Sequence, residues 1–278
     1  MNKGKKKIYL VLFVICLVVA IGALCYIIPY YAGLRHSEDV NEALREEIET
    51  LPIESEGTEE ITETIEETAE TEPEGTEVLE EAMRRVVDFD KLQTETNADI
   101  YAWIYIPDTN IDYPVLQHPT DDTRYLNYNI DGSKGYPGCI YTEKANAKDF
   151  SDFNTVIYGH NMKNGSMFHD LHKFSDESFL EEHPYVYVYL PDKILKYDIF
   201  EAYEYDDRHL LYSFDYTSEK VREGYIDSIL GNRSMSAVIK SSVDVTADSH
   251  IITMSTCIGG KANNRFLVQA VLMNDINE

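Results

Sequence analysis

Three residues in this chain have the chemistry for acyl transfer through a thioester: Cys257, His160 and Arg265. Cys257 ends the apolar, β-prone run Ile251-Ile252-Thr253-Met254-Ser255-Thr256-Cys257. Gly259-Gly260 follow, then Arg265 at the foot of a second run, Phe266-Leu267-Val268-Gln269-Ala270-Val271-Leu272. A cysteine at the mouth of one strand and an arginine at the foot of the next can face one cleft. His160 closes a third such segment, Thr155-Val156-Ile157-Tyr158-Gly159-His160-Asn161. A thiol attacks as its thiolate, an imidazole takes or returns the proton, and a guanidinium offers fixed donors to an oxyanion. Ser255 lies two residues before the cysteine, so in a strand it shares the cysteine's face. Ser255, with Thr256 beside it, is a candidate for substrate contact. Each residue alone has a plainer reading, since a cysteine after a strand is usually a small buried group and seven other histidines are present.

These side chains can converge only if the intervening elements fold back on one another. From Trp103 onward the pattern is of short strands separated by turns, over 102–106, 111–116, 138–141, 155–158, 185–190, 194–205, 236–245, 251–255 and 266–273. Many short strands at regular spacing predict a mainly β domain, a closed barrel or sandwich. Two helices are added. Apolar residues at helical spacing predict an amphipathic helix over 77–92, and Val221, Tyr225, Ile226 and Ile229, behind a possible N-cap at Ser218, predict another over 217–230. The second is long enough to wall a cleft.

The N-terminal quarter has a different character. Residues 1–7 are a basic tail, and 8–31 are 24 residues without a charge. As a helix that run spans about 36 Å, enough for a hydrocarbon core of about 30 Å. The lysines before it place the N-terminus in the cytoplasm and the rest outside. Its length favours a single-pass signal-anchor over a cleaved signal peptide. Residues 32–75 are rich in Glu and Thr, and 38–81 carry nineteen acids against Arg45 alone. Self-repulsion and scarce apolar surface predict an extracellular linker, with a helical, packed stretch near 40–48 as the alternative. The catalytic domain is expected over 76–278. Net charge is −26, which excludes the basic face that nucleic-acid binding needs. Cys16 and Cys25 fall in the apolar run, and Cys139 lies in the strand-like Gly138-Cys139-Ile140-Tyr141, where it reads as a buried thiol. No metal-ligand spacing or cofactor motif is present.

Thr253-Met254-Ser255-Thr256-Cys257 resembles the Thr-Leu-x-Thr-Cys signature of sortases, the transpeptidases that attach surface proteins to Gram-positive cell walls. Met254 stands where Leu is usual, a volume-conserving exchange. Arg265, eight residues after the cysteine, matches the family arginine, and Tyr158-Gly159-His160-Asn161-Met162 matches the segment of the family histidine. The run 103–115, Trp-Ile-Tyr-Ile-Pro-Asp-Thr-Asn-Ile-Asp-Tyr-Pro-Val, resembles the opening barrel segment of class B members. The helix over 217–230 fits that class too. The resemblance covers roughly residues 85–273. It implies a closed sortase-type β-barrel with an N-terminal helix and a helix inserted before the catalytic strands.

The resemblance also implies an activity. Cys257 would attack the carbonyl after the threonine of a sorting signal in a secreted protein, of Asn-Pro-x-Thr-Asn-like or Leu-Pro-x-Thr-Gly-like type. His160 would protonate the leaving amine, and Arg265 would steady the oxyanion or hold the signal. An amino group of a peptidoglycan precursor or cross-bridge would resolve the thioester. Ile258 stands where some members carry an acid, so no third residue is assigned to orient His160. A cysteine hydrolase with the same site, and an extracellular binding domain without activity, are the alternative readings.

Overall fold

A computed structural model of the chain describes residues 3–51, 73–234 and 236–275. Its centre is a barrel of eight strands: β3 (Ile100–Tyr105), β4 (Asp112–Leu116), β5 (Ile140–Thr142), β6 (Asn154–Tyr158), β7 (Tyr185–Tyr189), β8 (Ile194–Asp206), β10 (Ile251–Ile258) and β11 (Lys261–Asp275). The order is β11-β10-β6-β5-β4-β3-β7-β8, and β8 pairs back onto β11 to close it. Two neighbours are parallel, β4 with β5 and β6 with β10. Closure leaves no unpaired edge among the eight.

Strand alternation builds two kinds of surface. Ile104, Val115, Ile157, Val188, Tyr197, Met254 and Val268 are among the residues filling one core, on the inner face. The opposite faces form two outer clusters. Trp103, Leu116, Tyr187 and Tyr189 meet the N-terminal helices. Val156, Phe200, Leu267 and Val271 meet the inserted helix, which spans Glu219–Leu230. That helix is where the sequence predicts it, and Tyr225, Ile226 and Ile229 form its buried stripe. Ser218 precedes it without a side-chain capping bond. The strand expected over 236–245 shrinks to β9 (Val238–Ile239). β8 explains this: β11 runs along one side, and β7 takes Ile194 to Asp198 on the other, leaving Glu201 and Ala202 for β9.

The N-terminal region departs from expectation. Helix α1 (Lys3–Glu46) continues past the apolar run through 32–46, where the sequence suggests spacer with a packed helical stretch near 40–48 as its alternative; the alternative matches 40–46. Ser37, Asn41 and Leu44 recur at helical spacing and are buried, and the Asn41 amide donates to the Ser37 carbonyl (2.8 Å). Arg45 lies over the Tyr113 ring. The acidic count hides this stripe because every acid can point outward. β1 (Glu49–Thr50) then pairs with β2 (Arg85–Val86). The rest of the expected linker, 52–72, lies outside the described residues. The helix expected over 77–92 is instead α2 (Pro73–Arg84), followed by β2 and a turn that begins at Phe89. Val86 and Val87 favour extended backbone, and the Asp88 carboxylate caps the turn by accepting from Lys91 N (2.9 Å).

Candidate active site

β6 and β10 run side by side in the same direction, with Ser255 paired to Tyr158 and the Gly159 amide donating to the Ser255 carbonyl (3.1 Å). Their C-terminal ends therefore stop at one rim of the barrel. Two residues beyond that pair the strands carry His160 and Cys257. On the other side of β10, Cys257 is the direct cross-strand partner of Arg265. The ladder is irregular between Cys257 and Ile258. A cleft of about 220 Å³ opens here, lined by Cys257, His160, Arg265, Ser255 and the aromatic rings of Tyr141 and Tyr158 among others. All three sequence-derived residues thus meet in one cavity.

Cys257 is exposed. Its neighbour Thr256 is buried, and the Thr256 hydroxyl has no hydrogen-bond partner among the described residues. Thr256 pairs with Phe266, which belongs to the inner core. Of the two residues expected to touch substrate, Ser255 has its side chain on the outer face with Cys257; Thr256 alternates toward the inner core, yet both line the cleft.

His160 Nε2 lies 2.8 Å from the Leu126 carbonyl, on the short helix α3 (Arg124–Asn127). A carbonyl only accepts, so Nε2 carries a proton and Nδ1 is left for proton exchange. Tyr136 packs on the same ring, centroids 5.0 Å apart. The orienting group is therefore a main-chain oxygen rather than a carboxylate. Arg265 folds back on its own hairpin, its Nη1 donating to the Asn264 and Ala262 carbonyls (3.0 and 3.2 Å).

A second set of contacts, absent from the sequence reading, holds the Cys257 main chain. The Asn161 amide donates to the Cys257 carbonyl (2.9 Å) and lies 2.9 Å from His172 Nε2, itself 3.1 Å from that carbonyl. The Asn161 Oδ1 is 2.8 Å from His169 Nδ1. One arrangement satisfies the amide throughout: Nδ2 gives one proton to the carbonyl and one to His172, and Oδ1 accepts from His169. His172 stacks on Phe266, centroids 4.7 Å apart. Asn161 follows the histidine directly in sequence, which is the one available signal; nothing marks His172.

The far wall holds Asp206 and His209. The side-chain hydrogen bond from Arg208 holds the Asp206 carboxyl below the usual range. The pair Asp206-Asp207 thus borders the cleft. His209 Nε2 bonds Glu143 Oε1 (2.9 Å). Cys139 is a free, buried thiol, and burial pushes its pKa well up; it stays un-ionised and unavailable as a nucleophile. Among the described residues no three His, Cys, Asp or Glu side chains gather as metal ligands.

The family model for the Sortase domain matches residues 104–273. The chain is 35% identical over 179 residues to a sortase B of Listeria monocytogenes, covering 64% of this chain and 71% of that one. It is 30% identical over 171 residues to a sortase B of Staphylococcus aureus, covering 61% and 67%. The fold is similar to the crystal structure of Clostridium perfringens sortase B, with a TM-score of 0.60, 29% identity, and coverage of 66% of this chain and all of that one.

Proposed function

The chain belongs to the sortase family, with class B members as its relatives, and from that premise we propose that this cysteine transpeptidase cuts a C-terminal sorting signal after its threonine and passes the protein to a cell-wall amine. The supporting observation is the cleft in which Cys257 and Arg265 are cross-strand partners and His160 enters from the parallel strand. The Cys257 thiolate adds to the scissile carbonyl, and the negative oxygen that forms is steadied by the Arg265 guanidinium. Collapse to the thioester expels the amine, which takes its proton from His160. An incoming amine then gives a proton back to His160 as it attacks the thioester, and the product leaves with Cys257 restored. Ser255 touches the bound signal. The signal is of Asn-Pro-x-Thr-Asn-like or Leu-Pro-x-Thr-Gly-like type, and the acceptor is a peptidoglycan precursor or cross-bridge amine.

α1 is apolar enough, by length and composition, to cross a membrane. We read residues 8–31 as the membrane anchor, 1–7 as cytoplasmic, and the domain beyond as extracellular. The test incubates the full chain with a fluorescent sorting peptide, with and without an amine such as triglycine. Product carrying the amine supports transfer; cleavage that yields only free acid refutes it. Cys257→Ala and His160→Ala are expected to form no thioester by intact-protein mass spectrometry.

A further inference from the structure

The span read as the membrane anchor ends at Tyr31 and the first charge beyond it is Arg35, but the helix continues to Glu46. Leu34 packs against the barrel core, and Ser37 is buried. At 1.5 Å per residue, Leu34 lies about 4.5 Å and Ser37 about 9 Å beyond Tyr31 along the axis. A bilayer has about 30 Å of hydrocarbon within about 40–45 Å overall, so one headgroup layer is roughly 5–8 Å deep. A helix that crosses a membrane over 8–31 therefore meets the domain while it is still among the headgroups.

What it meets there is the rim of the cleft. His36 Nε2 lies 3.0 Å from Asp131 Oδ2. Leu34 and Glu38 line a small cavity with Pro137 and Met167, and the Asn164 amide faces the Glu38 carboxylate at 3.4 Å. Pro137 follows Tyr136, which packs on the His160 ring. Phe168, next to Met167, donates its amide to the His160 carbonyl. One layer of residues thus separates the emerging helix from His160.

The rim's exposed side chains fit such a place. Outside α1, the large apolar side chains exposed among the described residues are Leu51, Val86, Leu126, Tyr136, Tyr212 and Met273. Leu126 and Tyr136 both border His160. Tyrosine and lysine are favoured at a membrane interface, and Lys134 is exposed two residues before Tyr136. The turn is not a basic patch, since Asp131 is paired with His36. Its contact with lipid is apolar and aromatic and needs no anionic headgroup.

We propose that α1 seats the catalytic domain directly on the bilayer, with the 127–138 turn among the headgroups and the His160 side of the cleft opening at the lipid surface. This rests on the anchoring reading given above. A sorting signal or amine donor that is itself held in the membrane then reaches Cys257 without leaving the surface.

The test uses the full chain in vesicles of phosphatidylcholine brominated along its acyl chains, beside unbrominated vesicles. Trp103 is the sole tryptophan and is fully buried, so the wild type supplies the reference. Tyr136→Trp should lose about half or more of its added emission in brominated vesicles, because bromine quenches on near contact and the ring stands within a headgroup layer of the acyl chains; the wild type should change little. Lys134→Trp, at an exposed position, should behave likewise and guards against a folding defect at 136. Inserting about twelve Gly/Ser residues between Leu34 and Arg35 frees the domain on a flexible tether and should abolish the quenching. Absence of quenching in both tryptophan variants, or quenching that survives the insertion, overturns the seat. Flotation with the vesicles reports anchoring, and cleavage of the sorting peptide reports the enzyme. A sample that floats and cleaves but is not quenched refutes the seat alone; one that does not float refutes the anchoring reading beneath it.

Discussion

Asn161→Ala tests whether the carbonyl clamp sets the position of the nucleophile. The amide donates to Cys257 O and to His172 Nε2, and accepts from His169. Alanine removes all three contacts, but the Cys257 carbonyl keeps a partner. His172 Nε2 is 3.1 Å away and can donate once its proton moves to that nitrogen. The net loss at the nucleophile is about one hydrogen bond, or about 1 kcal/mol. At about 1.4 kcal/mol per tenfold in rate, that alone slows acylation about fivefold, and poorer alignment of the strand end extends this to about 10–30-fold. Asn161 is not among the residues lining the cleft, so KM should stay near the wild-type value and the loss should fall on kcat. His172→Phe keeps the stacking on Phe266 and removes the nitrogen; with Asn161 in place its effect should be under about fivefold. The two together should lose more than the product of the single losses, because each can cover for the other. The assay is single-turnover thioester formation with a sorting peptide, followed by mass spectrometry. A wild-type acylation rate in a folded Asn161→Ala, or a loss confined to KM, refutes the clamp.

Arg265→Ala should slow acylation by about 10²–10³, the effect of losing an oxyanion donor. The melting temperature should barely move, since among the described residues the guanidinium bonds only carbonyls of its own hairpin; a wild-type rate removes Arg265 from the chemistry. Gly159→Ala places a methyl 2.5 Å from Ile140 Cδ1 and 2.6 Å from the Phe168 ring. Overpacking of this kind costs about 1–3 kcal/mol, and calorimetry should show a lower melting temperature together with slower acylation, because His160 is the next residue. Glu201 is fully buried on β8, and burial pushes its carboxyl up to about 8 against the opposing Asn232 hydrogen bond. Between the unfolded value of about 4.3 and 8 the native state holds the extra proton, so this group makes stability fall as pH rises through that window. Glu201→Gln should remove a few kcal/mol of that decline, on the order of 1.4 per pH unit; thermal unfolding at pH 5 and pH 8 that shows the same slope in both proteins refutes it.

The thiol and imidazole were legible because each sits at a strand end with a glycine close by, whereas the guanidinium lies inside β11 and was legible by its place eight residues after the cysteine. Their supports were not. His160 is oriented by a main-chain oxygen of Leu126, and a carbonyl has no signature in residue type. Asn161 and Cys257 touch across 96 positions, and only the parallel pairing of β6 and β10 brings them together. The docking stripe of α1 was hidden for another reason. Ser37 and Asn41 are small and polar: the Asn41 amide closes locally on the Ser37 carbonyl, while the buried Ser37 hydroxyl has no partner among the described residues. The strand over 236–245 failed because residue preference cannot tell whether a neighbour has a vacant side to offer.

The two-residue ribbon of β1 with β2 has an evolutionary consequence. The described chain leaves the folded body at Leu51 and is packed on it again in α2, where Ala82 is buried; the two ends meet, since the Leu51 amide donates to the Arg84 carbonyl (2.8 Å) and Thr50 faces Arg85. The catalytic body is thereby joined to α1 ahead of residue 52, and the flanks at Leu51 and Arg84 are neighbours. Insertions and deletions between residues 52 and 72 can accumulate without altering how the barrel is joined to α1, so that length should drift freely among relatives while the spacing from Tyr31 to Leu44 stays fixed.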